Sequence, residues 1–241
     1  MASIFPDDFD YSQIDSMLNG NDIDYDEYIK KLDKNLMDNF KLLKSGVLPK
    51  KYIKGRLFKI IKPGLSQEIG KPFWRDVYIG AFGFPLFAEN WVKPLARWIG
   101  NRPCLEIMAG SGYFSYALSK YGCNVKATDN YSWKESFSLM NKYIPVENLD
   151  CLEAIKKYGK DVKFIICSWP YMDNKANECL LLMRKVNPKC RMIYVGEDMS
   201  GCTANNAFFN NLEECYVKGF DDAVSEYRRW DSIHDSIRLI K

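Results

Sequence analysis

A glycine-containing turn near the middle of the chain has the residue types of a nucleotide-type site. The run Cys104–Leu118 starts as an apolar strand pattern, passes Gly110 and Gly112, and continues at once as a helical pattern. Glycines let a ligand approach the backbone closely, and the first turn of a helix offers N–H groups to it. A dinucleotide site would place glycine or alanine three residues after Gly112, but Ser115 stands there, and Glu106 lies inside the strand. Because a carboxylate repels a pyrophosphate and attracts an amino group or a sulfonium, the pattern favours a ligand of the second kind.

The same turn resembles a known cofactor motif. Glu106–Gly112, with the sequence EIMAGSG, is similar to motif I of the class I S-adenosylmethionine-dependent methyltransferases, in which an acidic residue precedes a G-x-G-x-G pattern. Met108 stands in place of the first glycine. The resemblance implies that S-adenosylmethionine is the cofactor and that Glu106, Met108, Gly110 and Gly112 hold it.

Two aspartates follow at the ends of the next two predicted strands. Asp129 ends the run Ala127-Thr128-Asp129, and the resemblance assigns it to the ribose hydroxyls. Its two acceptor oxygens suit a bidentate bond to a vicinal diol. Asp150 lies in the turn after the third predicted strand, where the resemblance implies that it accepts from the adenine amino group. It could equally be the N-cap of the helix that begins near Leu152.

The fourth predicted strand ends in Ser168-Trp169-Pro170-Tyr171. This run resembles the motif IV tetrapeptide of the amino-methyltransferases, with Trp169 in place of the first proline. A planar exocyclic amine needs an acceptor for its N–H groups, an aromatic face, and a restrained backbone that aims both at the methyl donor. Ser168 and the Trp169 carbonyl could accept, and Tyr171 could stack on the amine. The alternative is that Pro170-Tyr171 is only a turn after a strand.

Other candidate residues follow the fifth predicted strand and precede the last one. Glu197 and Asp198 could line a substrate pocket, whereas Thr203 is equally well explained as a helix N-cap. The run Tyr227–Trp230 places two arginines between aromatic residues, which suits phosphate or base stacking as well as an ordinary surface cluster. His234 lies beside the final predicted strand and has no assigned role.

The elements that position these residues alternate as short apolar strands and helical patterns after Gly100, which is typical of a parallel sheet. The predicted strands are 103–108, 124–128, 145–149, 162–167, 190–195, 214–219 and 235–240. The predicted helices are 113–121, 133–143, 151–158, 174–186 and 203–212. The predicted fold is therefore α/β, a doubly wound seven-stranded methyltransferase-like sheet over residues 100–241, with a mainly helical N-terminal extension over residues 1–99.

The N-terminal extension is segregated by charge. Residues 1–30 are strongly acidic, residues 31–62 are strongly basic, and we expect residues 1–23 to be a mobile leader. Apolar spacing predicts an amphipathic helix over 24–43, a basic helix or arm over 51–62, an aromatic loop from Trp74, and a helix from Glu89 to Ile99. The basic segment is either a solvated helix face or a surface for a polyanion.

Composition limits the class of protein. A chain of 241 residues that is 47% apolar and 27% charged can form a large core, and no apolar run has the length of about 20 residues that a membrane helix needs. The N-terminus has no secretory signal pattern, and the eight cysteines form no C-x-x-C pair, so we expect a cytoplasmic protein with reduced thiols. The single histidine argues against zinc sites and hydrolytic triads.

Two classes of function remain. The first is an S-adenosylmethionine-dependent methyltransferase acting on a planar amine nitrogen of a nucleic-acid base, an amide side chain or a small molecule. The second is a catalytically inactive protein with the same fold that binds nucleic acid or a protein partner. Cleavage of the cofactor itself is a less favoured third reading, and no membrane partner and no metal are expected.

Overall fold

The computed structural model of the chain describes residues 34–52, 74–132, 143–230 and 233–241. These residues form eight helices and six strands. The helices are α1 Lys34–Lys44, α2 Trp74–Phe82, α3 Glu89–Ile99, α4 Tyr113–Ser119, α5 Cys151–Tyr158, α6 Lys175–Val186, α7 Asn206–Asn211 and α8 Lys218–Val224. The strands are β1 Cys104–Ile107, β2 Val125–Asp129, β3 Val146–Asn148, β4 Phe164–Ser168, β5 Arg191–Gly196 and β6 Ser236–Ile240.

The strands form one mixed sheet in the order β3-β2-β1-β4-β5-β6. The first five strands are parallel, and β6 pairs antiparallel with β5. The chain moves outward in one direction from β1 to β3 and then crosses back to β4 on the other side of β1. This reversal creates a crevice outside the carboxyl ends of β1 and β4, which is where open α/β sheets bind their ligands.

The prediction of seven strands is not confirmed, because the described residues contain six. Where a strand over 214–219 was expected, the structure has a single antiparallel bridge between Glu214 and Ile240. Tyr216 is 83% exposed and Val217 is also exposed, so these apolar residues gain no buried face by continuing along the sheet. The chain leaves the sheet and enters α8 at Lys218 instead.

Both faces of the sheet are covered, which explains why its central strands read as continuous apolar runs. Every residue of β1 is buried, as are the first four of β4. One buried cluster joins the sheet to the segment before Gly100 and includes Phe40, Tyr78, Trp91, Phe164 and Ile193. A second cluster lies on the other face and includes Ile107, Leu180 and Tyr194. The division of the chain at residue 100 stays a prediction.

The segment before Gly100 is more helical than expected, because the predicted aromatic loop begins as α2. Gly80 lies inside this helix, where glycine costs about 1 kcal/mol relative to alanine. The rings of Tyr78 and Phe82 are both buried and meet edge to face with centroids 5.0 Å apart. Burial of these rings offsets the low helix propensity.

The described residues test only some of the other predicted helices and segments. The helix α3 has the predicted bounds, and the amphipathic helix over 24–43 is described from Lys34 onward as α1. Three predictions fall outside the described residues: the leader over 1–23, nearly all of the basic helix or arm over 51–62, and nearly all of the helix over 133–143. Among the residues that are described, no helix has the length and apolar character needed to cross a membrane.

Candidate functional site

The site residues predicted from the sequence lie along the carboxyl edge of the sheet. Glu106 is in β1, Asp129 ends β2, Asp150 follows β3 and Ser168 ends β4. Because β6 runs antiparallel to the others, its beginning also lies at this edge, and Gly196 of β5 is paired with Ser236 of β6. Residues just before β6 are thereby brought close to the ends of β4 and β5.

The turn after β1 has a positive φ at a methionine as well as at two glycines. Met108 has φ of 53°, and Gly110 and Gly112 have φ of 54° and 72°. A left-handed conformation is uncommon for a residue with a side chain. The Ala109 amide, next to it, donates to the Thr128 carbonyl at 3.0 Å and fixes the turn against β2. Met108 therefore adopts a backbone conformation that glycine adopts without strain.

Gly112 is required by its surroundings as well as by its φ. A Cβ atom at this position would lie 2.8 Å from Cγ2 of Ile144 and 2.8 Å from Cγ2 of Val146. The turn is thus packed directly against the segment that leads into β3.

Glu106 is buried and bonds within the chain. Its Oε2 accepts from the Ser115 backbone N–H at 3.0 Å and from the Ser115 hydroxyl. Burial raises the pKa of Glu106 to about 7, the bonds from Ser115 oppose the rise, and the negative charge of Asp129 adds to it. The carboxyl group therefore links β1 to α4 by hydrogen bonds. A direct contact between Glu106 and a ligand stays a prediction.

Asp129 links the end of β2 to the glycine turn. Its Oδ2 accepts from the Gly110 N–H at 2.7 Å, and its Oδ1 accepts from the Tyr131 N–H at 2.6 Å. The side chain is almost completely buried. These two backbone bonds fix the orientation of a carboxylate at the carboxyl ends of β1 and β2.

Asp150 is the N-cap of α5, as one of the two sequence readings expected. Its Oδ1 accepts from the Leu152 N–H at 2.9 Å. Its Oδ2 lies 3.5 Å from the side-chain nitrogen of the exposed Asn130. The capping role accounts for one carboxylate oxygen, and a role in cofactor binding stays a prediction.

Backbone hydrogen bonds restrain the two central residues of the tetrapeptide after β4, Trp169 and Pro170. Trp169 has φ of 52°, and its backbone N–H donates to the Val195 carbonyl at 2.7 Å. Pro170 is buried and its carbonyl accepts from the Ala204 N–H at 3.3 Å, whereas Tyr171 is 56% exposed. Ser168, the last residue of β4, is half-buried. Hydrogen bonds at Trp169 and Pro170 therefore restrain the backbone of the tetrapeptide.

Asp235 contacts the tetrapeptide, although no role was predicted for it from the sequence. Its Oδ2 accepts from Nε1 of Trp169 at 3.1 Å and from the hydroxyl of Tyr227 at 2.5 Å. The indole of Trp169 also stacks on Phe84, with ring centroids 3.7 Å apart and planes 6° from parallel. Burial raises the pKa of Asp235, and the bonds from Tyr227 and Trp169 oppose the rise. Its place at the start of the last predicted strand, next to His234, was the only local signal.

Glu197, just after β5, connects two loops by hydrogen bonds to its side chain. Its Oε2 accepts from the Cys202 N–H at 2.7 Å, and its Oε1 accepts from the His234 N–H at 2.8 Å. Asp198 pairs with Arg238 at 3.3 Å. Their role in lining a substrate pocket stays a prediction.

Thr203 is not a helix N-cap, so the prediction that it caps a helix after β5 is wrong. The helix α7 begins three residues later, at Asn206, and its cap is Asn205, whose side chain accepts from the Phe208 N–H at 3.0 Å. The Thr203 hydroxyl instead accepts from the Glu197 N–H at 2.9 Å. The hydroxyl is used to hold the loop after β5.

The aromatic residues of Tyr227–Trp230 face the interior. Trp230 is buried and its Nε1 donates to the Phe84 carbonyl at 2.8 Å, and Tyr227 meets Trp91 edge to face at 5.2 Å. Trp230 thus contacts Phe84, whose ring stacks on Trp169. Within the described ranges, no group of histidine, cysteine, aspartate and glutamate side chains could hold a metal ion.

A cleft of about 360 Å³ opens beside the tetrapeptide. It is lined by Met172, which follows the tetrapeptide, and by Thr203, Ala204 and Phe209 from the segment after β5. Its size lies at the lower end of the range for small-molecule sites.

Comparison with known proteins gives remote structural likenesses only. No protein-family model and no curated protein matches the sequence. Solved structures that resemble the chain include a point mutant of MtNAS, with 10% identity over 61% of this chain and 55% of that one and a TM-score of 0.39. TehB from Haemophilus influenzae has 16% identity over 62% of this chain and 60% of its own, with a TM-score of 0.38.

The magnesium protoporphyrin IX methyltransferase ChlM from Synechocystis PCC 6803, solved with bound SAM, has 13% identity over 62% of this chain and 77% of its own, with a TM-score of 0.37. The chain thus spans less than two thirds of the MtNAS and TehB structures. TM-scores this low carry no argument about activity.

Proposed function

We propose that the protein is an S-adenosylmethionine-dependent methyltransferase that acts on a planar amine nitrogen. The observation that carries the proposal is the turn after β1. Met108 and Gly110 both have left-handed backbones, and the Gly110 N–H is bonded to Asp129 at 2.7 Å. A glycine-type turn is therefore joined to an acidic strand end at the point where the strand order reverses, which is the ligand-binding position of such sheets.

The chemistry of the edge residues fits the proposed cofactor. An adenosyl group offers donors at its ribose diol and its exocyclic amine, and Asp129 and Asp150 offer acceptors at neighbouring strand ends. In the proposal, Asp129 and Asp150 hold those groups, and the turn from Glu106 to Gly112 holds the amino-acid part. When bound, the cofactor supplies a methyl group made reactive by a positively charged sulfur.

The tetrapeptide is proposed to hold the methyl acceptor. Ser168 and the Trp169 carbonyl accept from the amine, the buried Pro170 and the bonds of Trp169 restrain the backbone, and Tyr171 stacks on the acceptor. Methyl transfer to an aligned neutral amine needs positioning and exclusion of water more than acid-base catalysis.

Location and partners are part of the proposal. All eight cysteines are free thiols and six of them are buried, which supports a reducing, cytoplasmic compartment. Nucleic acid and protein remain the candidate sources of the amine. The basic run 41–62, which favours nucleic acid, is described only as far as residue 52.

Calorimetry with S-adenosylmethionine tests cofactor binding. We expect the wild-type protein to bind, Asp129→Asn to bind at least tenfold more weakly, and the control Asp161→Asn, an exposed site before β4, to bind within twofold of the wild type. Thermal unfolding of each variant checks its fold. Absence of binding by the folded wild-type protein would refute the proposal.

Incubation with S-adenosylmethionine tritiated on the methyl group and a cell extract tests transfer. Because the extract contains methyltransferases of its own, labelling above that of the extract mixed with the Asp129→Asn variant is expected only if the protein is an enzyme. Binding of the cofactor without labelled product would leave the inactive binding protein as the correct reading, and product formed without any acceptor would indicate cleavage of the cofactor.

A further inference from the structure

Positive charge is concentrated where the end of α1 and the loop after it meet the helices α3 and α4. Six exposed basic side chains and one partly exposed basic side chain lie there: Lys41, Lys44, Lys50, Lys51, Lys93, Arg97 and Lys120. Two carboxylates accompany them, Asp38 and Glu89. We define the basic surface as these nine residues together with Tyr116 and Tyr121. Seven cations against two carboxylates stand out in a chain whose formal net charge is only +3.

Tyr116 joins α4 to the loop after α1. Its hydroxyl donates to the Gly46 carbonyl at 2.9 Å. Gly46 has φ of 76°, and any Cβ atom at this position would collide with that hydroxyl. On the same tyrosine, Nζ of Lys120 lies over the ring, 5.3 Å from its centre. The end of α4 and the end of α1 are therefore brought to one part of the surface.

The other side of the loop is joined to α3. The Glu89 N–H donates to the Pro49 carbonyl at 2.7 Å, which places the loop against the start of the helix. The Glu89 carboxylate then pairs with Nζ of Lys50 at 2.5 Å and with Nζ of Lys93 at 3.0 Å. Lys93 in turn lies 5.8 Å from the centre of the Tyr121 ring, just beyond the end of α4. The contacts thus form a closed circuit through the loop, α3 and α4, so the lysines belong to one continuous surface.

The carboxylate at the centre of this circuit does not cancel the charge around it. The side chain of Glu89 is 17% exposed and lies between two lysines, whereas the side chain of Lys50 is 86% exposed. The ammonium groups are therefore presented to solvent while the acidic group is largely covered. A partner approaching from solvent meets cations first.

The composition of the surface suits a partner that is recognised by its charge density. A lysine is a compact charge on a flexible stem and imposes little geometry on what it binds. Protein interfaces have an apolar core, and helices that bind membrane surfaces have an apolar face. In the described part of the basic surface, the exposed large apolar side chains are Leu42 and Val47, 39% and 50% exposed. Double-stranded nucleic acid instead offers one negative charge per about 1.7 Å of its axis.

The tyrosines of the surface favour a duplex over a single strand. Proteins that bind single strands stack the bases on aromatic side chains. Here Lys120 and Lys93 lie over the rings of Tyr116 and Tyr121, and both rings are half-buried. Each ring therefore already has a cation as a partner, and the lysines are the groups presented to a ligand.

We propose that the basic surface binds the phosphate backbone of a nucleic-acid duplex, independently of base sequence. The lysines and Arg97 contact phosphates and displace the counterions that surround the duplex. None of these residues is among those proposed to hold the cofactor or the methyl acceptor. The inference therefore goes beyond the proposed function and does not depend on it.

Fluorescence anisotropy with fluorescein-labelled DNA duplexes of two unrelated sequences tests the inference. We expect the wild-type protein to bind both within twofold, with an affinity that falls steeply as salt rises. The triple variant Lys41→Gln/Lys44→Gln/Lys120→Gln should bind at least tenfold more weakly at about 0.1 M salt. In a plot of log affinity against log salt concentration, its slope should be shallower by about 2 to 3, because each phosphate contact contributes about 0.9.

A matched triple variant controls for net charge. Lys160→Gln/Lys185→Gln/Lys189→Gln removes the same charge from exposed lysines near Asn187, whose side chain contacts the backbone of two of them. We expect it to bind the duplexes within threefold of the wild type. Thermal unfolding checks the fold of both variants, in which every replaced side chain is exposed.

Four results would overturn the inference: absence of duplex binding by the wild type, an equal loss of affinity in the two triple variants, a preference of more than tenfold between the two sequences, and tighter binding to a single strand than to the duplex. Tighter binding to phosphatidylserine vesicles than to the duplex would assign the surface to a membrane and would also overturn it. S-adenosylmethionine takes no part in these measurements, so failure of either proposal leaves the other standing.

Discussion

Replacing Glu106 by glutamine should stabilise the protein in a pH-dependent manner. Glu106 is buried in β1, and burial raises its pKa from 4.5 to about 7 despite the two bonds from Ser115. Glutamine has the size of the neutral acid and can keep an acceptor oxygen toward Ser115. It cannot ionise, so it removes the cost of burying the charge.

The magnitude follows from the interval between the two pKa values. One unit of pKa corresponds to about 1.4 kcal/mol, so the interval from 4.5 to about 7 corresponds to about 3 kcal/mol. Below pH 4.5 both the folded and the unfolded chain hold the proton, and Glu106 imposes no cost. Between pH 4.5 and 7 the unfolded chain releases it while the folded chain keeps it, so the stability of the wild type falls as pH rises. Above pH 7 the cost is fully present.

Urea unfolding of both proteins from pH 4.5 to 9 measures this effect. The difference in unfolding free energy, Glu106→Gln minus wild type, should rise by about 3 kcal/mol across that range and level off above pH 7. Glu147→Gln is an instructive control, because its exposed carboxylate has a pKa lowered by Lys157 and should give a difference of the opposite sign. A Glu106→Gln difference that is independent of pH would refute the assignment of a raised pKa.

Three further predictions concern local structure. Asp150→Ala should lower the unfolding free energy by about 1 kcal/mol through loss of the cap on α5, and Asp150→Asn should restore most of it in the same urea titration. Gly112→Ala should destabilise the protein by about 1–3 kcal/mol, because its Cβ would press on Ile144 and Val146 in a left-handed backbone; a melting temperature equal to that of the wild type would contradict the packing described here. Cys202 should be the fastest of the eight thiols to react with a maleimide, since it alone is exposed, and Cys202→Ser should abolish the fast phase seen by mass spectrometry.

The sequence predicted the elements around the crevice well, because their signals are local. Alternating apolar runs and helical patterns after Gly100 gave β1, β4 and β5 to within a residue or two. The position of Asp150 before a helical run predicted its capping bond. The glycine turn was also recognisable, since its residue types determine its backbone.

What the sequence could not predict depends on tertiary contacts. The helix α2 contains Gly80 and forms because Tyr78 and Phe82 are buried against other elements. The strand expected over 214–219 has the right residue types but lacks a buried face, so it is reduced to a bridge at Glu214. Asp235 meets Trp169 from 66 positions away, and no local pattern signals such a contact.

The antiparallel pairing of β6 with β5 has a consequence for synthesis of the protein. The glycine turn, Asp129 and Ser168 all leave the ribosome before β6, and domains generally fold as units during synthesis. Until β6 has emerged, the outer edge of β5 is unpaired and Trp169 lacks its carboxylate acceptor. An unpaired apolar strand edge readily pairs with other chains. The growing chain therefore passes through a stage in which five of the six described strands have been synthesised but the edge of β5 and the hydrogen bond of Trp169 are unpaired. Protection by a chaperone would have its greatest effect at this stage.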